Sequence, residues 1–75
     1  MDQETPIDMI QVPSTNVDSV GYDAPSQTLL VTFKSGDTYQ YDGVTADIYA
    51  ALVLSPSIGK YIREVISQQF NYTKL

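Results

Sequence analysis

Two tyrosines, Tyr39 and Tyr41, are the residues whose type and spacing point most directly to a binding surface. They lie two positions apart in an extended stretch, and strand side chains alternate between faces, so both rings project from the same face of a sheet. Paired rings of this kind stack nucleobases in proteins that bind single strands. They also form ordinary core when they face a layer of helices. The sequence leaves both alternatives open, and the same two apply to Tyr22 on an earlier predicted strand.

A second group, Ser57, Gly59 and Lys60, lies at the predicted start of a helix and has the residue types that hold a phosphate. Free N–H groups and a hydroxyl donate hydrogen bonds, glycine permits close approach, and lysine supplies positive charge. Arg63 follows one turn later and joins the same predicted patch. The alternative is structural: Ser57 caps the helix, and Lys60 pairs with Glu64 four residues on.

The composition excludes much catalytic chemistry. The 75 residues include no Cys and no His. This removes Cys and His nucleophiles, a His general base and zinc sites built from those ligands. Asp23, Asp37 and Asp42 lie near the ends of predicted strands, separated by turns, without the spacing of a metal-binding loop. We therefore expect a protein that is not an enzyme and that holds no metal and no cofactor.

The charge limits the class of partner. Four basic and nine acidic residues give a net charge of −5, which disfavours long duplex DNA and anionic membranes, because long nucleic acids require several cations to neutralise phosphates. A small nucleotide needs only one or two cations.

Residues 1–4 are acidic and no long apolar run follows, so the sequence predicts no signal peptide, no membrane span and a cytoplasmic location. A chain this short has a small core, and a homo-oligomer is the predicted source of additional stability.

The elements that position these residues begin with strands. Residues 1–9 are predicted to be a lead that forms at most part of an edge strand, and residues 10–75 to form a single domain. The run 28–33 is rich in β-branched and large apolar residues, which favours a strand. In the hairpin that follows, Gly36 supplies the positive φ that a tight turn requires.

Two predicted helices follow the strands. Thr45 is the expected N-cap of the first, which runs to about Leu54. The second carries an apolar stripe at helical spacing from Ile58 to Ile66. The predicted fold class is therefore α+β: a small antiparallel meander of three to four strands, followed by two helices packed on one face.

Residues spread over nearly the whole chain, about 10–75, match the pattern of a known family. They are Gly21-Tyr22-Asp23, Leu30-Val31-Thr32-Phe33-Lys34-Ser35-Gly36, Tyr39-Gln40-Tyr41, Val44, Tyr49, Leu52, Ser57-Ile58-Gly59-Lys60-Tyr61 and Ile66. In this order and spacing the chain resembles the KTSC domain, which is named after the C-terminus of some lysyl-tRNA synthetases and also occurs as small bacterial and phage proteins. The resemblance implies a small α+β fold, a central Tyr-x-Tyr and a role in RNA binding.

The chain departs from that family pattern at two places. Val44-Thr45 stands where the family tends to have Val-Pro. Ser67 stands where the family tends to have Arg, and only Lys74 remains of its basic tail. The missing cations weaken the case for a long RNA.

These observations predict a non-enzymatic binding module whose ligand is a nucleotide or a short RNA. A phage-type protein of this size would act by sequestering a nucleotide signal in the host cytoplasm. The alternative is an acidic protein–protein interaction module that docks on a basic partner. The predicted base-stacking residues are Tyr39, Tyr41 and Tyr22, and the predicted phosphate contacts are Ser57, Gly59, Lys60 and Arg63.

Overall fold

The computed structural model describes residues 7–75. Residues 1–6 of the predicted lead lie outside the described residues. Five strands form one antiparallel sheet in the order β1-β2-β3-β4-β5, and two helices pack on one face. The strands are β1 (Ile10–Gln11), β2 (Val17–Asp23), β3 (Thr28–Phe33), β4 (Thr38–Asp42) and β5 (Tyr72–Lys74).

The α+β class predicted from the sequence is confirmed, and the sheet has one strand more than the pattern indicated. This strand, β5, follows the helices and pairs with β4, where Tyr72 lies opposite Tyr41 and Lys74 opposite Tyr39. The backbone N–H of Leu75 continues the pairing by donating to the carbonyl of Thr38 at 2.8 Å. A strand of three residues is too short for side-chain alternation to reveal it.

The register of the sheet decides which face the tyrosines take. Leu29 lies opposite both Tyr22 on β2 and Tyr41 on β4, and Tyr41 lies opposite Tyr72 on β5. Residues directly opposite each other project from the same face, and the side chain of Leu29 is fully buried under the helices. All three tyrosines, and Tyr39 two residues from Tyr41, therefore project toward the helices.

The core fills the space between this face and the helices. Its sheet side chains alternate with residues of the opposite face, as expected for a sheet covered on one side. The buried members are Val17, Val20, Leu29, Val31, Tyr41, Val44, Leu52, Ile58, Ile62 and Ile66.

Helix α1 (Ala46–Leu54) begins and ends where the sequence predicts. The Thr45 hydroxyl oxygen accepts the backbone N–H of Ile48 at 3.4 Å, which confirms the predicted N-cap. After α1 the expected cap by Ser57 is not made. The hydroxyl of Ser55 instead accepts the N–H of Ser57 and donates to its carbonyl, both at 3.1 Å.

Helix α2 covers residues 58–69 in three continuous parts: an α-helical turn Ile58–Tyr61, a π-helical segment Ile62–Ile66 and a final turn Ser67–Gln69. The π segment is closed by the backbone N–H of Ser67, which donates to the carbonyl of Ile62 five residues earlier. Within residues 7–75, neither helix has the length and hydropathy needed to cross a membrane.

Candidate functional site

An open cavity of about 550 Å³ lies between the sheet and helix α2. Four aromatic side chains, Phe33, Tyr39, Tyr41 and Tyr72, line it, and we call it the aromatic cleft. Its other walls come from the loop 13–16, from the β3–β4 hairpin and from α2. The volume lies within the range of small-molecule sites.

The rings of the aromatic cleft meet at their edges. The centroids of Phe33 and Tyr39 are 5.5 Å apart with an interplanar angle of 87°, and those of Tyr39 and Tyr72 are 5.7 Å apart at 62°. Tyr41 and Tyr72 are 5.6 Å apart at 47°. In edge-to-face contacts of this kind the edge of one ring meets the face of its neighbour, so at most one face of a ring is covered in each contact. Because Tyr72 is 54% exposed while Tyr41 is 3% exposed, the accessible aromatic surface comes from Tyr72 and the half-buried Phe33 and Tyr39.

Tyr41 provides a neutral polar group beside this surface. Its hydroxyl oxygen lies 3.4 Å from the hydroxyl oxygen of Ser67 on α2. Burial raises the pKa of the Tyr41 phenol above its ordinary value, although the hydrogen bond with Ser67 acts in the opposite direction. The phenol is therefore protonated at neutral pH and can donate or accept a hydrogen bond.

The loop side of the cleft is fastened to the hairpin by backbone hydrogen bonds. The Ser14 hydroxyl oxygen accepts the N–H groups of Asn16 at 3.2 Å and Val17 at 3.1 Å. The carbonyl of Asn16 accepts the N–H of Lys34 at 2.8 Å. Gly36 has a φ of +103°, as predicted, and turns the chain back into β4. This geometry holds Asn16 and Lys34 on the same wall.

Helix α2 supplies the opposite wall through residues spaced four apart. Ile58, Ile62 and Ile66 are buried, while Gly59, Arg63 and Ser67, each one position later, line the cleft. A spacing of four residues suits the wide turns of the π segment, in which the backbone bond spans five residues. Segments of this type are frequent at functional sites.

A second, smaller cavity of about 300 Å³ adjoins the aromatic cleft. It lies between the loop 13–16 and the start of α2, and Ser57 and Lys60 line it. Gly59 and Arg63 line both cavities, as do Thr15 and Asn16 of the loop. We call it the side cavity.

Three of the four Lys and Arg residues line these two cavities, and the fourth is paired with a residue of the cleft. Lys34 and Arg63 line the aromatic cleft, and Lys60 lines the side cavity beside Arg63. Lys74 holds its ammonium 3.7 Å from the carboxylate of Asp37, which also lines the cleft. In a chain with a net charge of −5, the positive charge is therefore concentrated at one place.

The structure brings six of the seven predicted site residues to this region. Tyr39 and Tyr41 lie in the aromatic cleft and Ser57 and Lys60 in the side cavity. The remaining two, Gly59 and Arg63, lie between them. The alternative pairing of Lys60 with Glu64 is not formed: among residues 7–75 the ion pair within 4.0 Å is that of Lys74 with Asp37.

Tyr22 lies apart from the other six. Its ring stacks on Tyr49 of α1, with centroids 4.7 Å apart and planes inclined by 12°. Its hydroxyl donates to the carbonyl of Val44. Both the ring and the hydroxyl are therefore engaged within the fold.

Sequence reasoning did not identify Phe33, Lys34, Asn16 and Tyr72 as cleft residues. Phe33 has the alternation of a core residue, and nothing in the local pattern distinguishes a residue that packs in the core from one that lines a cavity. Tyr72 lies in a C-terminal tail that is too apolar to be wholly free of the fold, and this was the one signal in the sequence that the tail packs against it. Its position in the cleft depends on β5, and therefore on pairing with a strand about thirty residues earlier.

Comparison with known proteins identifies relatives over nearly the whole chain. The sequence model of the KTSC domain matches residues 13–70. An uncharacterized protein of Stutzerimonas stutzeri is 31% identical over 67 residues, which cover 88% of this chain and 94% of that protein. The lysine–tRNA ligase of a Nostoc species is 37% identical over 54 residues, but these cover 72% of this chain and only 10% of the ligase.

A solved structure supports the same grouping. The crystal structure of a KTSC domain protein from Yersinia pestis superimposes with a TM-score of 0.86 at 30% sequence identity. The alignment covers 93% of this chain and 99% of that chain. At this identity and coverage the likeness extends to the sequence as well as to the fold.

Proposed function

The chain belongs to the KTSC domain family, and from that premise we propose that it is a small non-enzymatic module that binds a nucleotide or a short RNA in the aromatic cleft. The base lies against Tyr39 and Tyr72, and the phosphate lies toward Arg63 and Lys34. The relation to a segment of lysine–tRNA ligases supports a ligand of nucleotide type, although that segment is a tenth of the ligase.

The observation that carries this proposal is that exposed aromatic surface lies beside three of the four Lys and Arg residues of the chain. Tyr72 is 54% exposed, and it shares the cleft with Arg63 and Lys34. Stacking of a base on such a ring contributes about 1–3 kcal/mol. A guanidinium is suited to phosphate because it donates two parallel hydrogen bonds. An anionic ligand with a planar ring uses both features together.

The same charge distribution limits the size of the ligand. Beyond the cavities, the one Lys or Arg side chain on the surface of residues 7–75 is Lys74, and it is paired with Asp37, while most of the acidic side chains lie outside the cavities. A long strand leaving the cleft would therefore meet repulsion rather than counter-charges. We expect a ligand of one or a few nucleotides.

A binding role without turnover is consistent with the residues of the cleft. Among the described residues that line it, Asp37 is the one carboxylate, and it is ion-paired with Lys74. The remaining polar side chains are hydroxyl, amide and cationic groups. A protein of this kind acts by holding its ligand, which is the property required to sequester a nucleotide signal in phage-infected cells.

Titration calorimetry with a panel of linear and cyclic nucleotides tests the proposal. We expect a saturable heat with at least one of them, and a loss of affinity of roughly 5- to 150-fold in Tyr72→Ala, the equivalent of a lost stacking contact. Arg63→Ala is expected to weaken binding as well. Ala50→Glu, on the exposed surface of α1, makes the same change in net charge and is the matched control that should bind normally.

Native mass spectrometry of the same samples reports the stoichiometry and shows whether the protein is a homo-oligomer. A correctly folded protein that binds no member of the panel would overturn the proposal for these ligands. If wild type, Tyr72→Ala and Arg63→Ala bound with equal affinity, the binding site would have to lie outside the cleft.

A second candidate function is favoured by the acidic surface that remains outside the cavities. Asp42, Asp47 and Glu64 are exposed, and the one Lys or Arg side chain of residues 7–75 that lines neither cavity, Lys74, is paired with Asp37. Such a surface can dock on a basic protein, with an association rate that falls as salt is added. Salt-sensitive binding to a basic partner that is unaffected by Tyr39→Ala would support this function in place of the first.

A further inference from the structure

The aromatic cleft and the side cavity share a wall, so one ligand can occupy both. Thr15 and Asn16 from the loop and Gly59 and Arg63 from α2 line each of them. The cleft offers aromatic rings and the side cavity offers hydroxyl and ammonium groups. The two parts are therefore chemically different and adjacent.

Gly59, on the shared wall, is not explained by the packing of the fold. It is the second residue of the helix, whose N-cap is Ser57, and within a helix glycine is destabilising by roughly 0.5–1 kcal/mol relative to alanine. A Cβ built at this position meets Asn16 Nδ2 and Ser14 Oγ, its nearest neighbours among the described residues, at 3.7 Å. That is ordinary van der Waals contact, so the folded chain has room for a methyl group. The open space is better explained by a ligand that passes between the cavities.

The cations are also distributed between the two cavities. Lys34 lines only the aromatic cleft, Lys60 only the side cavity, and Arg63 lines both. A single phosphate in one of the cavities would have Arg63 and one lysine beside it, Lys34 in the aromatic cleft or Lys60 in the side cavity. Two phosphates, one in each cavity, would use all three cations.

We infer that the ligand carries two phosphate groups, with its base in the aromatic cleft, one phosphate between Lys34 and Arg63, and the second in the side cavity beside Lys60 and Ser57. This inference rests on the proposed function and specifies the ligand of the same site. Two kinds of molecule share this chemistry: a nucleoside diphosphate, whose phosphates are adjacent, and a 5′-phosphorylated dinucleotide, whose phosphates are separated by a sugar.

The test compares AMP, ADP and the dinucleotide pApA, together with the corresponding guanine, cytosine and uracil compounds, at fixed ionic strength. We expect ADP or pApA to bind wild-type protein at least tenfold more tightly than AMP, because a charge-assisted hydrogen bond to the second phosphate provides a gain of that size. The member that gains affinity identifies which kind of molecule fits. In Lys60→Ala the gain should disappear, while the affinity for AMP stays unchanged.

Ala50→Glu changes the net charge equally and should keep the gain. Equal affinity of wild type for AMP, ADP and pApA would overturn the inference and leave the proposed function intact. The same follows if Lys60→Ala weakens all three ligands by one factor, since Lys60 then acts through the general field. Absence of binding by every compound, with circular dichroism showing folded protein, would overturn the proposed function itself.

Discussion

The two sides of the helix–sheet interface use tyrosine in opposite ways. Under α1, Tyr22 lies flat on Tyr49 at 4.7 Å, and its hydroxyl is bonded to the carbonyl of Val44. We call this the closed side. Under α2, Phe33, Tyr39 and Tyr72 meet at their edges and leave a cavity of about 550 Å³. Between Tyr22 and Tyr41 lies the fully buried Leu29.

The difference shows that ring orientation and charge, rather than residue type, distinguish packing from a site. A stacked pair covers one face of each ring and adds stability. An edge-to-face pair covers a face of only one of its two rings, and Tyr72, which is 54% exposed, keeps ring surface available for another molecule. The cations of the chain lie around the open side, where an anionic ligand would be held.

The largest expected effect is a difference in the free energy of unfolding when a tyrosine on each side is replaced by alanine. Tyr22→Ala removes a ring stacked in the interface and its hydrogen bond, and should lower the free energy of unfolding by about 3 kcal/mol. Tyr72→Ala removes a ring that is 54% exposed, and should cost less than about 1 kcal/mol. Urea denaturation followed by circular dichroism measures both. Equal losses would mean that the open side is packed for stability as well.

A smaller effect on the free energy of unfolding is expected at alkaline pH, and one tyrosine on each side contributes to it. Burial raises the pKa of Tyr41 on the open side and of Tyr49 on the closed side above their ordinary value of 10.0. Each group contributes stability that is complete below pH 10. Above that pH the unfolded chain loses its phenolic protons first, so the contribution is lost as the pH rises through the higher folded-state pKa.

The free energy of unfolding of wild type should therefore fall above about pH 10. Tyr41→Phe and Tyr49→Phe should each fall less steeply, and the double variant least of all. Urea titrations at a series of pH values measure the slopes. A Tyr41→Phe protein that declines as steeply as wild type would show that this phenol does not resist ionisation in the folded state.

The smallest expected effect is a gain in stability. Gly59→Ala should raise the free energy of unfolding by roughly 0.5–1 kcal/mol, because the backbone is helical and the new methyl has room. The same methyl enters the wall shared by the two cavities, so binding should weaken while stability rises. Thermal unfolding and nucleotide titration of one sample test both statements. A destabilised Gly59→Ala protein would show that the fold itself requires this glycine.

Local signals in the sequence account for much of the fold. Thr45 caps α1 and Gly36 turns the hairpin because each is set by chemistry within a few residues. The apolar spacing from Ile58 to Ile66 likewise predicts a helix, although not its π segment. Ser57 occupies the N-cap position of α2, as in the structural alternative, but its side chain makes no capping hydrogen bond, and the neighbouring hydroxyl of Ser55 binds the backbone there instead.

The candidate site was predictable only in part. Tyr39 and Gly59 were identified from residue type and spacing, and the structure places both beside cavities. Tyr22 has the same features in sequence, yet its ring is engaged by Tyr49. Lys34 and Tyr72 have no local signal for a site, since each reaches the cleft through pairing with a distant segment.

By itself, the sequence determined the α+β class, the main strands and helices, the acidic charge and the absence of Cys and His chemistry. These follow from alternation, helical spacing, capping and composition, which act over short distances along the chain. The stacking of Tyr22, the exposure of Tyr72 and the convergence of three scattered cations on one pair of cavities are set by the tertiary structure. Those properties depend on strand register and on the placement of α2, and such contacts between distant residues leave no local pattern.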